Sequence, residues 1–415
     1  MSRSSRQSIL IIFFAWLAYM ISYLGRSDYS ACVLEIIRET GAPRATAGMV
    51  SSAFALCNAV GQLASGFVLK KIAPVKVIGA ELFAVALINL LFPNTDSFLL
   101  MAILWGINGC MQSTLLCGST QIFVETLEEP YLSRGAVLLN TIGAIGGVLN
   151  YLLSWALIRY ASWKAVFLTV STMLFLLGIF WALKMPSLIA RNRKMPDKGS
   201  ADENTQASSA DLQLTHYGAL FVIIGAFFVG FLRESVALWI PSYMNEVFGL
   251  SSSLSTAVTA FVPCLQVCGA LLAGRIGRHA WNLHFPSAFS FLCSGICLFL
   301  LLLSPIAGPA VTILLFVINA ISMTAALTFL LSLFPIRFFG RGQAPILVGV
   351  INFFVHTGDF FSSSGIGWLS QTSGWQLTFG ILGGLAFTAA VICLTGGWIC
   401  KKEMECKHDK RYLRE

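Results

Sequence analysis

Two arginines, Arg26 and Arg233, lie deep inside long apolar stretches of this chain. A charge inside a membrane span is costly and marks a functional site by default. Arginine suits an anion there, because its planar fork donates paired hydrogen bonds to carboxylate or phosphate and stays charged. Arg26 ends a stripe of Trp16, Tyr19, Tyr23 and Arg26, spaced i, i+3, i+7 and i+10 on one helical face. The pattern reads as a small anionic solute gripped by Arg26 and Arg233 and walled by Tyr19 and Tyr23. The plainer reading pairs each arginine with a neighbouring acid. Asp28 and Glu234 are within two residues of their arginines, however, so neither acid shares its arginine's helical face. A second stripe holds Asn352, His356, Asp359 and Ser363 at i, i+4, i+7 and i+11. Histidine titrates near neutral pH, and a histidine and an aspartate one turn apart can relay a proton. The same stripe would also serve as an interhelical hydrogen-bond network. Asn108 and Gln112 form a shorter stripe with Asn319 as its counterpart, and Gln62 and Gln266 are further polar candidates for substrate contact. Glu81 fits none of these groups.

These side chains need membrane-spanning helices to carry them. The chain has 415 residues, of which 56% are hydrophobic and 11% charged, with a mean hydropathy of +0.77. Soluble domains carry about a quarter charged residues, so a soluble enzyme, a disordered protein and a secreted scaffold are excluded. No Asp, Glu, Lys or Arg occurs between Arg278 and Arg337, and Asp359 is the only one from Gly342 to Cys400. Each stretch accommodates two crossings of about 20 residues. Apolar windows fall near 9–31, 47–69, 75–93, 97–124, 135–158, 163–184, 215–241, 252–274, 284–304, 308–334, 344–370 and 375–400. The expected fold is an all-α membrane protein with twelve transmembrane helices in two pseudo-symmetric six-helix bundles. The bundles are placed at 1–186 and 214–402, with a polar cytoplasmic linker at 187–213 and a basic cytoplasmic tail at 403–415.

Basic residues set the orientation. With both termini cytoplasmic, the inner side holds Arg3, Arg6, Lys70, Lys71, Lys76, Arg134, the Lys184–Lys198 group, Arg275, Arg278, Arg337, Arg341 and the tail. The outer loops hold Arg38, Arg44, Arg159 and Lys164. The net charge of +8 is thus a topology signal rather than a nucleic-acid footprint. The first apolar stretch lacks a small-residue cleavage site and reads as a span, not a signal peptide. The eleven cysteines form no metal-spaced cluster and imply no disulfide framework. No phosphate loop, zinc motif or catalytic triad is present, so neither an enzyme, a metal nor a cofactor is expected. The expected protein is a monomer, multi-pass in a cell membrane of the bacterial cytoplasmic type, with the lipid bilayer and a small anionic substrate as its partners.

The two halves read as copies. Arg26 and Arg233 are offset by 207 residues, Val50 and Val258 by 208, Ile107-Asn108 and Ile318-Asn319 by 211, and Trp163 and Trp375 by 212. Asn140 and Asn352 share the last offset. An offset that grows slowly and never reverses fits duplication with small insertions. A six-plus-six parallel repeat with a cytoplasmic central loop resembles the major facilitator superfamily, over almost the whole chain. The resemblance implies two bundles rocking about a central cavity, with Arg26 and Arg233 at equivalent places facing it. The superfamily's G-x-x-x-D-R-x-G loop is altered here: Gly66 is followed by Lys70 and Lys71, without the acidic residue.

More narrowly, Tyr23-Leu-Gly-Arg26 with Phe231-Leu-Arg233 resembles the organophosphate:phosphate antiporter family, which includes glycerol-3-phosphate and hexose-phosphate transporters. Asn108-Gly109-x-x-Gln112, Cys117-Gly118 and Trp239-x-Pro241-x-Tyr243 extend the match. The resemblance implies that Arg26 and Arg233 grip a phosphoryl group with Tyr19 and Tyr23 lining the site. Two positions depart from it. Asn58-Ala-Val-Gly-Gln62 stands where the family commonly has Tyr-Gly-x-Ser-Lys, and Phe123 stands near an expected histidine. Three functions follow as expectations. The first is alternating-access transport of a phosphorylated metabolite by the two-arginine clamp. The second is proton-coupled symport of a carboxylate such as a sugar acid through His356 and Asp359. The third is a transporter-like membrane sensor of such an anion.

Overall fold

The computed structural model describes residues 3–128, 131–192 and 216–412, apart from the side chains of 3–5, 133, 136, 137, 140, 216, 336, 338–346 and 406–412. Among the described residues it is helical and contains no strand. Hydrocarbon offers no partner to a backbone N–H or C=O, so a crossing segment must satisfy its own bonds as a helix. The first half comprises α1 (Arg3–Thr40), α2 (Arg44–Lys71), α3 (Pro74–Leu91), α4 (Phe98–Gln112), α5 (Leu115–Thr126), α6 (Tyr131–Asn140), α7 (Ile142–Tyr160) and α8 (Trp163–Asn192). The second comprises α9 (Ala219–Phe248), α10 (Ser252–Thr259), α11 (Phe261–His279), α12 (His284–Leu300), α13 (Ser304–Ala307), α14 (Pro309–Leu327) and α15 (Phe334–Tyr412).

Several crossings are broken helices. The α4–α5 crossing is interrupted at Ser113 and Thr114, and a stretch of π-helix over Thr328–Leu333 joins α14 to α15. The α10–α11 crossing breaks at Ala260, one turn before the position where Pro263 lacks an N–H to give to Thr259. Eleven described helical stretches are long and apolar enough to cross a membrane. The last of them, Leu347–Glu405, spans 59 residues, enough for two crossings. It turns at Gly374, whose φ of 76° lies in the left-handed region that a residue without Cβ adopts freely. The segment after Gly374 packs against α12 and the residues just before it, with Phe299 against Phe387 and Asn282 donating to the Gly397 carbonyl at 2.9 Å.

By internal contacts the residues form two units. One is Met1–Lys198 with Ile240–Asn245 and Gly249–Cys264, and the other is Gly199–Trp239 with Glu246–Phe248 and Leu265–Glu415. The expected bundle boundary at 214 divides the chain differently, because the start of the eighth crossing packs into the first unit. There Thr256 donates to the Ala31 carbonyl at 3.3 Å, Arg38 bonds Ser252, and Pro263 lies against Gly147. The helix α8 also runs through Pro186 to Asn192, six residues into the expected linker. Asn192 holds that end by donating to the Thr126 carbonyl at 3.0 Å and to Ser8 Oγ at 3.3 Å. The rest of the linker and the Asn140 side chain lie outside the described residues.

The duplication is repeated in side-chain contacts within each unit. Trp163 Nε1 donates to Glu39 Oε2 at 2.5 Å, and Trp375 Nε1 donates to Glu246 Oε2 at 2.8 Å. Each bond ties the end of a half's first helix to the start of its sixth. In the second unit α9 and α15 approach backbone to backbone. A Cβ at Gly230 would strike the Val355 carbonyl, and one at Gly358 would strike the Phe227 carbonyl and lie 2.6 Å from Phe231 N. Overpacking of that kind costs about 1–3 kcal/mol. Gly358→Ala is therefore expected to lower the thermal midpoint of the detergent-purified protein by several degrees. An unchanged midpoint would refute the close crossing.

Candidate functional site

In the first unit, Arg26 follows a closely packed position of α1, Gly25. Gly25 has no side chain, and a Cβ there would meet Leu174, Asn89 and Val85 at 3.1–3.2 Å. The Gly25 carbonyl accepts hydrogen bonds from Asn108 Nδ2 at 2.8 Å and Asn89 Nδ2 at 3.4 Å. Gln112 Nε2 donates to Asn108 Oδ1 at 2.8 Å, and Gln112 Oε1 has no hydrogen-bond partner among the described residues. Asn108 and Gln112 are buried, so what they hold is the backbone that presents Arg26. Gln62 Nε2 donates to Asn58 Oδ1 at 2.7 Å, and Asn58 Nδ2 donates to the Gly109 carbonyl at 3.0 Å. This second pair ties α2 to α4.

The Arg26 guanidinium is half-buried and lies over two rings, Phe54 at 5.0 Å and Tyr23 at 5.5 Å. A cation over an aromatic face is attracted by the ring quadrupole, by up to about 2 kcal/mol when desolvated. Among the described residues Arg26 has neither a hydrogen-bond nor an ion-pair partner. Asp28 is turned away and fully buried, and its Oδ1 accepts from the Tyr29 backbone N–H at 2.8 Å. Tyr19 is within electrostatic reach of Arg26, Tyr23 and Glu81. Trp16 is committed elsewhere, since its Nε1 donates to Thr141 Oγ1 at 3.3 Å. The guanidinium is thus held by rings that leave its N–H groups available, which suits it to an anion.

In the second unit, Arg233 is paired with an acid far away in sequence. Its Nη2 lies 3.4 Å from Asp359 Oδ2 and 3.5 Å from Oδ1. His356 Nδ1 lies 2.9 Å from the same Oδ2. Asp359 and His356 are buried, whereas the Arg233 side chain keeps 28% of its surface exposed. The glycine crossing of α9 and α15 makes this pairing possible, because a wider separation would carry Asp359 out of reach. Arg233 and His356 thus converge on one carboxylate, that of Asp359. Asn352 lies on the same helix and is half-buried. Ser363 Oγ donates to the Asp359 backbone carbonyl at 2.9 Å and not to its carboxylate. Asn319 is buried and accepts from Ser294 Oγ at 2.6 Å, tying α14 to α12.

Two side chains of the first-unit arrangement escaped the sequence reading: Phe54 under Arg26, and the buried amide Asn89. The asparagine carried a signal, as an isolated polar residue in an apolar span. Phe54 carried none, as one of 32 phenylalanines.

Comparison with known proteins follows the same lines. The membrane sensor protein UhpC of Escherichia coli (strain K12) is 26% identical over 283 residues, covering 64% of this chain and 63% of the sensor. The match thus spans a little under two thirds of that relative's length. The glycerol-3-phosphate transporter of Bacillus subtilis (strain 168) is 22% identical over 331 residues, covering 74% of this chain and 72% of the transporter. Neither relative is an enzyme. A bacterial homolog of the human lysosomal transporter Spinster, solved inward-facing and unoccupied, superposes with a TM-score of 0.78 at 14% identity, over 96% of this chain and 97% of that one. This last likeness concerns the fold alone. The model of the Major Facilitator Superfamily matches residues 15–363, and the chain is a multi-pass membrane protein belonging to that superfamily.

Proposed function

We propose that this protein carries a small organic anion, most simply a phosphorylated metabolite, across the membrane by alternating access. Both termini are then cytoplasmic, a reading that the distribution of basic residues supports. The observation that carries this reading is the state of the two arginines. Arg26 lies over Tyr23 and Phe54 with no acid partner among the described residues, while Arg233 is held by Asp359. The first is ready for an anion. The second accepts one by exchanging the Asp359 carboxylate for the substrate's oxygens, a swap of like for like that costs little charge separation. Asn108 and Gln112 support the reading by fixing the Arg26 backbone, and Tyr19 and Tyr23 line the approach. The similarity to a glycerol-3-phosphate transporter points to the same substrate class.

A second reading is favoured by one contact, His356 Nδ1 at 2.9 Å from Asp359 Oδ2. A proton placed on that pair would weaken the hold of Asp359 on Arg233, which is the coupling a proton-driven carboxylate symporter needs. The similarity to a membrane sensor supports a third, binding without turnover. The test is a thermal-shift screen of purified protein against phosphorylated and carboxylated metabolites, followed by counterflow in proteoliposomes with each compound that stabilises. A phosphorylated compound that stabilises and exchanges supports the proposal. Stabilisation without flux would replace it with the sensor, and carboxylates alone would replace it with the symporter.

A further inference from the structure

The second half of α2 carries an exposed apolar stripe that ends on lysines. Val60, Leu63 and Phe67 recur at i, i+3 and i+7, and all three are exposed, Phe67 by 72%. Lys70 and Lys71 follow Phe67 at i+3 and i+4, so their exposed side chains flank the end of the same face. A Cβ added to Gly66, beside Phe67, would meet nothing within 4 Å. Only Ile72 and Ala73 separate α2 from α3. Ile72 N donates to the Val68 carbonyl at 2.9 Å and Lys76 N to the Ala73 carbonyl at 2.9 Å, which fixes both sides of that turn. Lys76 is exposed in the first turn of α3, so three lysines fall within the segment 70–76.

None of the three has a hydrogen-bond or ion-pair partner among the described residues. The helices that carry them offer no counter-charge. There is no acid in α2, and the single acid of α3, Glu81, is buried. At Gly118 the helix α5 approaches both Ile78 and Leu69, and Glu125, towards its end, accepts from Gln121 Nε2 at 2.9 Å. Several basic residues elsewhere on the side read as cytoplasmic are already engaged. Arg278 Nε donates to the Gly274 carbonyl at 3.3 Å, Arg337 Nη1 to the Gly277 carbonyl at 3.1 Å, and Lys401 pairs with Glu405 at 3.8 Å.

We infer that the end of α2 and the turn into α3 bind an anionic phospholipid. Its phosphate meets Lys70, Lys71 and Lys76, and an acyl chain runs along Phe67, Leu63 and Val60. The dimensions favour this occupant. The ten residues from Val60 to Lys70 cover about 15 Å of helix. That is half of a hydrocarbon core of about 30 Å, the depth of one leaflet. A soluble anion would use the lysines and leave the stripe bare, and a zwitterionic lipid would use the stripe and leave the lysines without net counter-charge. Lysine stems lie along apolar surface while their ammonium groups reach the headgroups. Each lysine near an anionic lipid surface contributes about fivefold in affinity. The bound lipid offsets the charge of the turn and ties it to the headgroup layer, whichever anion the protein carries.

The test is native mass spectrometry of the detergent-purified protein with equal amounts of phosphatidylglycerol and phosphatidylcholine. The wild type is expected to retain phosphatidylglycerol in preference. The triple variant Lys70→Gln, Lys71→Gln, Lys76→Gln should bind it about a hundredfold more weakly. The double variant Lys401→Gln, Lys402→Gln should keep it, and so should Arg26→Ala. Equal retention of both lipids overturns the inference, as does undiminished binding in the triple variant. Loss in the double variant would mean that positive charge in general holds the lipid, and loss in Arg26→Ala would move the lipid to the proposed substrate site; either overturns the inference. A second measurement needs no variant. Phosphatidylglycerol should protect the three lysines of the wild type from a water-soluble amine-acylating reagent, read by peptide mass, where phosphatidylcholine does not. Equal labelling in the two lipids overturns the inference even where the triple variant does not fold.

Discussion

Arg26→Lys keeps the positive charge of the first unit and is expected to weaken binding of a phosphorylated metabolite by roughly 10- to 100-fold. The difference lies in geometry. The guanidinium lies over Phe54 and Tyr23 with its edge available, and a planar fork donates two parallel hydrogen bonds to one oxyanion. An ammonium at the same place offers a point charge on a flexible stem and one good bond. A hydrogen bond to a charged group contributes about 1.5–3 kcal/mol, and each 1.4 kcal/mol is tenfold in affinity. Arg26→Ala should lose more, because the rings then face the solute alone. The fold should tolerate both changes, since Arg26 makes no ion pair among the described residues. Counterflow rate against substrate concentration, with the melting midpoint as a control for folding, checks this. Wild-type affinity in Arg26→Lys would eliminate the fork as the recognition element.

Asp359→Asn acts in the opposite sense on affinity. Asp359 is the acid on which both Arg233 and His356 converge. The asparagine keeps the shape but removes the charge, so an incoming anion no longer competes with a resident carboxylate for Arg233. Binding of a phosphorylated probe is expected to tighten by about tenfold, as for a pair coupled by about 1.4 kcal/mol. The protein itself should become less stable by about 1–3 kcal/mol. That is less than the loss of a fully buried pair would cost, because Arg233 keeps 28% of its surface exposed. If the pair also relays a proton, uptake driven by a pH gradient falls with the same substitution. Weaker anion binding in Asp359→Asn would make the carboxylate part of the binding site rather than its competitor.

How much of this was legible in the residues differs between the two arginines. Arg26 stood out because its aromatic neighbours Tyr19 and Tyr23 are on its own helix, at spacings that a period of 3.6 converts directly into a shared face. The cluster of His356 with Asp359 was legible for the same reason. The pairing of Arg233 with Asp359 joins positions 126 residues apart, and no periodicity within one helix encodes it. It depends on the approach of α9 to α15, which is set by two glycines whose missing Cβ atoms let the backbones touch. Asn108 is a similar case. Its spacing with Gln112 was plain, yet its amide serves the Gly25 carbonyl of another helix.

By itself the sequence determined the class of the protein, the spans, the duplication and the positions of the intramembrane charges. Each of these follows from local hydropathy, helical period or internal similarity, all of which are properties of neighbouring residues or of the chain compared with itself. Tertiary structure alone decided which polar groups are already satisfied. Arg233 is held by Asp359, Asn108 is spent on the Gly25 carbonyl, and Asp28 Oδ2 meets no hydrogen-bond partner among the described residues. The physical reason is that a hydrogen bond or ion pair inside a membrane protein is made between helices. Hydrocarbon supplies no partner, and the partner a side chain finds depends on which helix packs beside it.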